Sequence, residues 1–212
     1  MALYLDSANL TDAQTAIAWG WVKGITTNPT LLAQSDLPPA DTLSKLAAIC
    51  PGELYYQLLA SELEAMLSEA RQARELVGPK LVLKIPATPL GFTAVARLSP
   101  EIDCSVTAIY SAAQAMVAAA AGAKYAIAYV NRATRLLGDG IALVAEMNAA
   151  LQGTNTTILA ASLKSPAEAA AACQAGAHHL TLPLAMLTAL AQHDLADQTA
   201  QEFAAQGRGL LS

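Results

Sequence analysis

The feature that most constrains the fold is a regular alternation of two kinds of segment. Eight short apolar runs resemble buried strands, and they cover residues 2–6, 24–28, 54–59, 81–86, 102–109, 125–130, 157–162 and 179–183. Alanine-rich stretches with helical spacing follow them, at residues 11–19, 39–49, 61–77, 90–98, 111–121, 140–151, 166–175 and 184–191. Eight such units predict one α/β domain, residues 1–212, closed into a (β/α)8 TIM barrel. An open doubly wound sheet is the alternative, because alternation alone does not show closure.

Local signals support several helix boundaries. Ser165 supplies an N-cap with Pro166 at the first helical position, and Gly122 and Gly176 stand where a helix would end in a left-handed cap. An extra amphipathic stretch, residues 195–205, follows the eighth unit. Because the barrel is then complete, we expect this C-terminal helix to pack outside the barrel or on a neighbouring subunit.

Composition indicates association with other copies of the chain. Only 14% of the residues are charged, against about 25% in an ordinary soluble domain. A large share of the surface is therefore expected to face away from water, which predicts a homo-oligomer. The net charge is -5 without a basic run, so neither nucleic acid nor an anionic membrane is an expected partner.

The cysteines and the start of the chain favour a cytoplasmic protein. Cys50, Cys104 and Cys173 are odd in number and widely spaced in apolar segments, so we expect reduced, packed thiols. Met1 leads directly into a strand-like run, and no signal peptide is expected.

The most informative single segment is LVLKIPAT, residues 81–88. A short apolar run bounded by Gly78-Pro79 and Pro86 is typical of a strand buried on both faces. Burial of Lys84 would favour a neutral amine, because an ammonium is costly to remove from water. A neutral buried amine can attack a ketone or aldehyde and form a Schiff base. The alternative is a lysine near a strand end whose charged head reaches water.

Polar residues interrupt or follow the apolar runs near their carboxyl ends, where barrel enzymes place their active sites. The set consists of Asp6, Thr26, Thr27, Asn28, Gln57, Lys84, Thr107, Tyr129, Arg132, Ser162 and Lys164. Asp6, Asn28 and Ser162 could hold the hydroxyls of a ketose. Arg132, Lys164 and Ser162 offer cations and a small donor for a terminal phosphate.

Competing motifs are weaker. His178 and His179 precede the eighth strand, at the opposite end of the barrel, and no carboxylate or cysteine lies nearby at ligand spacing. We therefore expect a structural role for them and no metal site. The GDG sequence at residues 138–140 does not directly follow a strand, so it is interpreted as a turn and not as a phosphate loop.

Two stretches, GITTNPTLL at 24–32 and LVLKIPAT at 81–88, closely resemble the signature segments of the transaldolase family. LYLDSAN at the start, YVNR at 129–132 and LAASLKSP at 159–166 resemble further family segments in the same order. Within that family the chain resembles fructose-6-phosphate aldolase and the small transaldolases, which are single barrels. That resemblance implies a pentamer or decamer and chemistry without a cofactor.

The resemblance also implies residue roles. Lys84 becomes the Schiff-base lysine, Asp6 holds a substrate hydroxyl and Thr107 holds the catalytic water. The same resemblance makes Asn28 a holder of a substrate hydroxyl, and Arg132 and Ser162 the phosphate contacts. From their places at the strand ends, Thr26 and Lys164 are further residues expected to bind substrate.

The chain departs from transaldolases at two catalytic positions. Transaldolases usually carry glutamate where this chain has Gln57, and phenylalanine where it has Tyr129. Neutral Gln57 can only orient a water, so Tyr129 is the expected acid-base group. Ile127 lies where transaldolases usually carry a serine beside the dihydroxyacetone end of the substrate. The range of donor substrates is therefore left open.

These observations favour a class I aldolase that reversibly cleaves fructose 6-phosphate. A transaldolase that moves a dihydroxyacetone unit between sugar phosphates is the alternative. A barrel that binds sugar phosphates without catalysis is weaker, because it would not need a buried amine. A deoxyribose-phosphate-type aldolase is also weaker, because Lys80, the nearest second lysine, lies at the opposite end of its strand.

Overall fold

The computed structural model describes residues 1–210, and residues 211–212 of the predicted domain lie outside that range. Eight strands form a closed barrel in which each strand pairs in parallel with the next, and the last pairs with the first. The strands are β1 (Ala2–Asp6), β2 (Val22–Thr26), β3 (Leu54–Gln57), β4 (Leu81–Pro86), β5 (Asp103–Ile109), β6 (Tyr125–Tyr129), β7 (Thr157–Ala161) and β8 (His179–Leu182). The predicted TIM barrel is confirmed, and the open sheet is wrong.

Helices surround the barrel and cross from each strand to the next. They are α1 (Leu10–Ala18), α2 (Pro29–Ala33), α3 (Pro39–Ile49), α4 (Leu63–Val77), α5 (Pro89–Leu98), α6 (Ala112–Ala120), α7 (Val130–Leu137), α8 (Gly140–Ala150), α9 (Pro166–Gln174), α10 (Leu184–Ala191) and α11 (Asp194–Gln206), with a 3-10 turn at Gly78–Lys80. In residues 1–210, no helix is long and apolar enough to cross a membrane.

The helix caps follow the sequence signals. The Ser165 hydroxyl accepts a hydrogen bond from the Glu168 amide at 3.1 Å, which caps α9. Gly122 and Gly176 adopt φ angles of 86° and 113° just beyond α6 and α9, as left-handed caps require. Of the GDG sequence predicted as a turn, Gly138 and Asp139 connect α7 to α8, and Gly140 is the first residue of α8.

Most elements differ from the predicted ranges by one or two residues at an end, and the differences near β2 and Arg132 bear on the site. β2 begins at Val22 because that residue pairs with Leu3 of β1. It ends at Thr26, because Asn28 already caps the short helix α2. Arg132, expected to close the sixth strand, lies in the first turn of α7, because this helix begins directly after Tyr129.

Two apolar clusters account for the core. The larger lies between the strands and the helices, where small alanine side chains let the helices approach the barrel closely; examples are Ala13, Ala16, Ala115, Ala118, Ala169 and Ala172. The smaller fills the barrel interior, with members that include Tyr4, Tyr55, Val82, Ile127 and Leu159. A filled interior leaves the carboxyl ends of the strands as the open end of the barrel.

A carboxylate closes the opposite end, which we call the barrel floor. Glu53 accepts hydrogen bonds from the hydroxyls of Tyr4 at 2.7 Å, Tyr55 at 3.0 Å and Tyr125 at 2.8 Å. The Lys124 amine lies 2.7 Å from the same carboxylate. The three phenols are thereby fixed by one acceptor inside an otherwise apolar layer.

Ionisation at the floor reflects these contacts. Burial acts to raise the pKa of Glu53, but hydrogen bonds from Lys124, Tyr4 and Tyr125 outweigh it, so the pKa lies below its ordinary value. Burial and the bond to Glu53 raise the pKa of Tyr125 to about 12. Both shifts favour a charged carboxylate and a neutral phenol, the states in which the Tyr125 hydroxyl can donate to Glu53.

The two adjacent histidines lie at this floor end, as the sequence predicted. The His178 ring accepts a hydrogen bond from the Ile158 amide at 3.2 Å, and the His179 ring accepts one from the Ala2 amide at 3.1 Å. Both rings therefore hold neighbouring strands in place.

The cysteines are free thiols. Cys50 and Cys104 are buried, and Cys173 is half-buried.

The last helix, α11, is exposed along its whole length. Leu195 and Phe203 have 65% and 72% of their surface exposed, and α11 has no buried residue. Helix α11, Asp194–Gln206, covers the stretch at residues 195–205 over which the sequence predicts a helix. It is not buried against its own barrel.

Candidate functional site

Lys84 lies inside the open end of the barrel. Only 4% of its surface is exposed, so the alternative of a lysine whose head reaches water is wrong. Its Nζ donates a hydrogen bond to the Thr27 carbonyl at 2.9 Å, and among residues 1–210 it forms no ion pair. The register of the sheet places Gln57 and Ser105 beside it on the neighbouring strands. The result is an enclosed amine with a single fixed partner.

Thr107 and Tyr129 form the second part of the site. The Thr107 hydroxyl, 1% exposed at the end of β5, donates to the Tyr129 phenol oxygen at 3.1 Å. Because Thr107 supplies the proton of this bond, the phenol keeps its own O–H available for another acceptor. Ala108 adopts a left-handed φ of 59°, and the pairing of β5 with β6 is interrupted there. Strain of this kind in a non-glycine residue often accompanies a functional site.

Asp6 belongs to a chain of three side chains across β1, β2 and β8. The Thr26 hydroxyl donates to Asp6 Oδ1 at 2.8 Å, and Thr181 Oγ1 lies 2.6 Å from Thr26 Oγ1. The Thr26 hydroxyl has one proton and donates it to Asp6. Thr181 must therefore be the donor in the bond between the two threonines. This relay fixes one carboxylate oxygen of Asp6 and leaves the other for a ligand hydroxyl.

Asn28 and Gln57 are placed differently from each other. The Asn28 side-chain oxygen accepts from the Leu31 amide at 3.0 Å and caps α2, which leaves its NH₂ group as the donor for a substrate. The Gln57 side chain makes no hydrogen bond within the described chain and stands beside Lys84 in the sheet. Its amide is available to bind a water or a substrate group.

The cationic residues gather where β6 and β7 end. The Arg132 guanidinium lies 5.1 Å from the centre of the Tyr129 ring, stacked over its face. Ser162 follows β7 with a left-handed φ of 61°, and its carbonyl accepts from the Asn131 amide at 3.0 Å. Arg132 and Lys164 are both exposed. This side of the opening can bind an anion.

The opposite side of the opening is acidic. A cavity of about 640 Å³ is lined by Asp6, Asp12 and Asp36 together with polar side chains near the start of α1 and in the α2–α3 connection. Cations on one side and carboxylates on the other suit an elongated ligand with a phosphate at one end and hydroxyls at the other. In residues 1–210, no group of three or more histidine, cysteine or acidic residues is arranged to hold a metal ion.

Sequence reasoning identified the residue types that surround the opening but missed three contacts. Thr181 was not singled out, because a threonine inside a strand is ordinary. Thr27 acts through its backbone carbonyl, which no side-chain pattern reveals. Asn131 stands between two expected residues and was overlooked, although it lies in the quoted YVNR segment.

Comparisons with known proteins show the family of the chain. The sequence model of the Transaldolase/Fructose-6-phosphate aldolase family matches residues 3–210. A probable transaldolase of Kosmotoga olearia is 35% identical over 206 residues, covering 96% of this chain and 94% of the relative. A probable transaldolase of Symbiobacterium thermophilum is 34% identical, covering 98% of this chain and 100% of the relative.

Solved structures support the fold alone. Inosine 5'-monophosphate dehydrogenase from Legionella pneumophila superposes with a TM-score of 0.64 at 12% identity, covering 88% of this chain and 58% of the dehydrogenase. A mandelate oxidase superposes with a TM-score of 0.60 at 17% identity, covering 83% of this chain and 59% of the oxidase. Together with the site geometry, the match along nearly the whole sequence shows that this chain is an enzyme of the transaldolase/fructose-6-phosphate aldolase family.

Proposed function

We propose that the enzyme is a class I aldolase that reversibly cleaves fructose 6-phosphate to dihydroxyacetone and glyceraldehyde 3-phosphate. The observation that carries the proposal is the enclosed Lys84 amine, 4% exposed, at the same barrel end as the Thr107–Tyr129 pair. An enclosed amine without an ion pair is a suitable nucleophile for a ketone.

The proposed reaction balances through a Schiff base on Lys84. The amine attacks the ketone carbon, a carbon–nitrogen bond forms, and the carbonyl oxygen leaves as water. The carbon–carbon bond then breaks as the neighbouring hydroxyl loses its proton, and the electron pair moves into an enamine. Glyceraldehyde 3-phosphate departs, and the enamine carbon is protonated before water releases dihydroxyacetone. The protonated Schiff base accepts the electrons, so the proposed chemistry needs no cofactor.

Tyr129 is the proposed acid-base group for these proton transfers. The phenol oxygen of Tyr129 accepts a hydrogen bond from the Thr107 hydroxyl at 3.1 Å. The phenol proton is therefore available for a water or a substrate. Thr107 and Gln57 would hold the water between the phenol and the substrate. Protonation of the enamine ends the reaction in free dihydroxyacetone and prevents capture by a second aldehyde.

The polarity of the opening supports the substrate orientation. Arg132, Ser162 and Lys164 would bind the phosphate, while Asp6, Thr26 and Asn28 would hold or orient the hydroxyl-bearing end. A guanidinium that stacks on Tyr129 at 5.1 Å also brings the phosphate site next to the acid-base group.

Transaldolase activity is the second candidate, and the relatives favour it. Those from Kosmotoga olearia and Symbiobacterium thermophilum are both named probable transaldolases. In that reaction, a second sugar-phosphate aldehyde captures the enamine before it is protonated.

A product assay separates the two candidates. The enzyme is given fructose 6-phosphate alone, and free dihydroxyacetone is measured; erythrose 4-phosphate is then added, and sedoheptulose 7-phosphate is measured. We expect free dihydroxyacetone to accumulate, and we expect Tyr129→Phe to shift the balance towards transfer. Rapid formation of sedoheptulose 7-phosphate without free dihydroxyacetone would make the enzyme a transaldolase.

We also propose a cytoplasmic, ring-like homo-oligomer, a pentamer or decamer. The exposed helix α11 supports this, because Leu195 and Phe203 leave 65% and 72% of their surfaces uncovered in the single chain. Burial of each such side chain against a neighbour would contribute roughly 1.5–3 kcal/mol.

A further inference from the structure

Glu168 uses both of its carboxylate oxygens beside the proposed phosphate site. It is the third residue of α9, and its Oε2 accepts from the Lys164 amide at 2.6 Å. Its Oε1 accepts from the Asn131 side-chain amide at 3.3 Å. In residues 1–210, Glu168 forms neither a hydrogen bond nor an ion pair with the side chains of Arg132 or Ser162.

The first of these bonds resembles ordinary helix capping. Ser165 bonds the Glu168 amide at 3.1 Å, and Glu168 reaches back to a backbone amide before the helix, as in a capping box. The second bond has no role in capping α9, because Asn131 belongs to α7. It joins the loop that follows β7 to the helix that follows β6.

The backbone of Asn131 also joins α7 to the loop after β7. Its amide donates to the Ser162 carbonyl at 3.0 Å, where the chain turns through a left-handed φ of 61°. Arg132 follows Asn131 directly, and Lys164 lies two residues after Ser162. Glu168 and Asn131 therefore form a frame that fixes the segments carrying the three proposed phosphate ligands.

We propose that Glu168 is a positioning residue for the phosphate subsite, acting through Asn131 and Lys164 on the spacing between Arg132 and Ser162. This inference rests on the proposed function, because it assumes that these residues bind the substrate phosphate. A carboxylate near a phosphate repels it, so Glu168 would weaken phosphate binding unless its two hydrogen bonds contribute more by fixing the segments that they join.

The effect should be selective for phosphorylated substrates. Loss of the frame lets the two segments move apart, and small displacements of a positioning group weaken binding strongly. Glu168 bonds to Asn131 and Lys164 and to none of Lys84, Thr107 or Tyr129. The amine of Lys84 and the Thr107–Tyr129 hydrogen bond join other partners and should keep their geometry. A substrate without a phosphate should therefore be almost unaffected.

The test measures synthesis from dihydroxyacetone with either glyceraldehyde 3-phosphate or unphosphorylated glyceraldehyde. We expect Glu168→Ala to raise the KM for glyceraldehyde 3-phosphate roughly tenfold, with the kinetics for glyceraldehyde nearly unchanged. Glu168→Gln should stay close to the wild type, because a rotated Asn131 amide can still bond to glutamine while the Lys164 bond is kept. Asn131→Ala should raise the same KM, and it tests the connection if Glu168→Ala fails to fold.

Asp139→Ala is the matched control for loss of a capping carboxylate. Asp139 accepts from the Ile141 and Ala142 amides, both at 2.9 Å, at the start of α8. In the described chain its side chain forms no hydrogen bond with Asn131 or with residues 162–165. Its substitution should not change the ratio of the two KM values. A similar change in Asp139→Ala and Glu168→Ala would overturn the inference, because general destabilisation would then explain both.

Arg132→Ala distinguishes failure of this inference from failure of the proposed function. If Arg132→Ala raises the KM for the phosphorylated aldehyde alone while Glu168→Ala and Asn131→Ala do not, the positioning role is wrong and the phosphate site stands. If Arg132→Ala affects both aldehydes equally, the phosphate site is misplaced and the positioning role falls with it. If both Glu168 variants lower the KM for the phosphorylated aldehyde, the carboxylate acts by repulsion and the inference is again wrong.

Discussion

Replacement of Glu53 by glutamine removes the charge on which three tyrosine hydroxyls converge at the barrel floor. A hydrogen bond to a charged group contributes about 1.5–3 kcal/mol and a neutral one about 0.5–1.5 kcal/mol. The free energy of unfolding then falls by about 1 kcal/mol for each phenol, or roughly 3 kcal/mol in total. The Lys124 pair adds little, because the Lys124 side chain is 42% exposed and keeps its bond to Asp103.

Thermal unfolding measures this loss. In a domain of this size, 1 kcal/mol corresponds to about 2–4 °C, so Glu53→Gln should lower Tm by roughly 6–12 °C near neutral pH. Protein concentration must be held constant if the chain is oligomeric. Turnover at room temperature should be retained, because Glu53 lies at the opposite end from Lys84. Glu101→Gln is the matched control, since its side chain is exposed and makes no hydrogen bond in the described chain.

The pH dependence gives a second check on the same contacts. A pKa of Glu53 below its ordinary 4.5 means that its contribution is present above that pH and is lost as the pH falls through the folded-state value. The difference in Tm between the wild type and Glu53→Gln should therefore become smaller in acid. The raised pKa of Tyr125 predicts that wild-type stability falls between pH 10.0 and about 12, where the unfolded chain loses its proton first. Equal Tm values for Glu53→Gln and the wild type at neutral pH would refute the reasoning. A difference in Tm that stays unchanged in acid would refute it as well.

Three further changes test other parts of the molecule. Arg132→Ala should raise the KM for fructose 6-phosphate on the order of 100-fold through the loss of charged hydrogen bonds, and equal loss with unphosphorylated substrates would contradict this. Deletion of residues 192–212 should reduce the particle mass in light scattering, because Leu195 and Phe203 then no longer reach a neighbour; a monomeric wild type would rule this out. Ala108→Gly should raise stability by about 1 kcal/mol, because glycine accepts a φ of 59° without strain; calorimetry showing a lower Tm would count against it.

The fold could be predicted because local signals and the global pattern agree. The first and fourth strands, residues 2–6 and 81–86, have the predicted boundaries, since an apolar run ends at a clear break in each. The short helices α2 and α7 were missed. Helix α2 has five residues, and α7 follows Tyr129 without a loop, so neither shows a separate periodic stretch.

The site could be predicted only in part. Polar residues near strand ends showed which side chains surround the opening, because all parallel strands of a barrel end on the same side. Their partners could not be read from the sequence. The Lys84–Thr27 bond uses a backbone carbonyl 57 positions away, and the Asp6–Thr26–Thr181 chain depends on closure of β8 onto β1. Glu53 lies just before β3, where a carboxylate usually faces water, and only the converging tyrosines reveal its role.

Covalent trapping on Lys84 tests the central claim most directly. The enzyme is incubated with fructose 6-phosphate and borohydride, and the modified peptide is identified by mass spectrometry. A Schiff base on the enclosed amine predicts one reduced dihydroxyacetone unit on the peptide that contains Lys84. Lys84→Met should lose both adduct and activity, whereas Lys164→Met, the control at the exposed lysine, should keep the adduct. An adduct on Lys164, or full activity in Lys84→Met, would contradict the account.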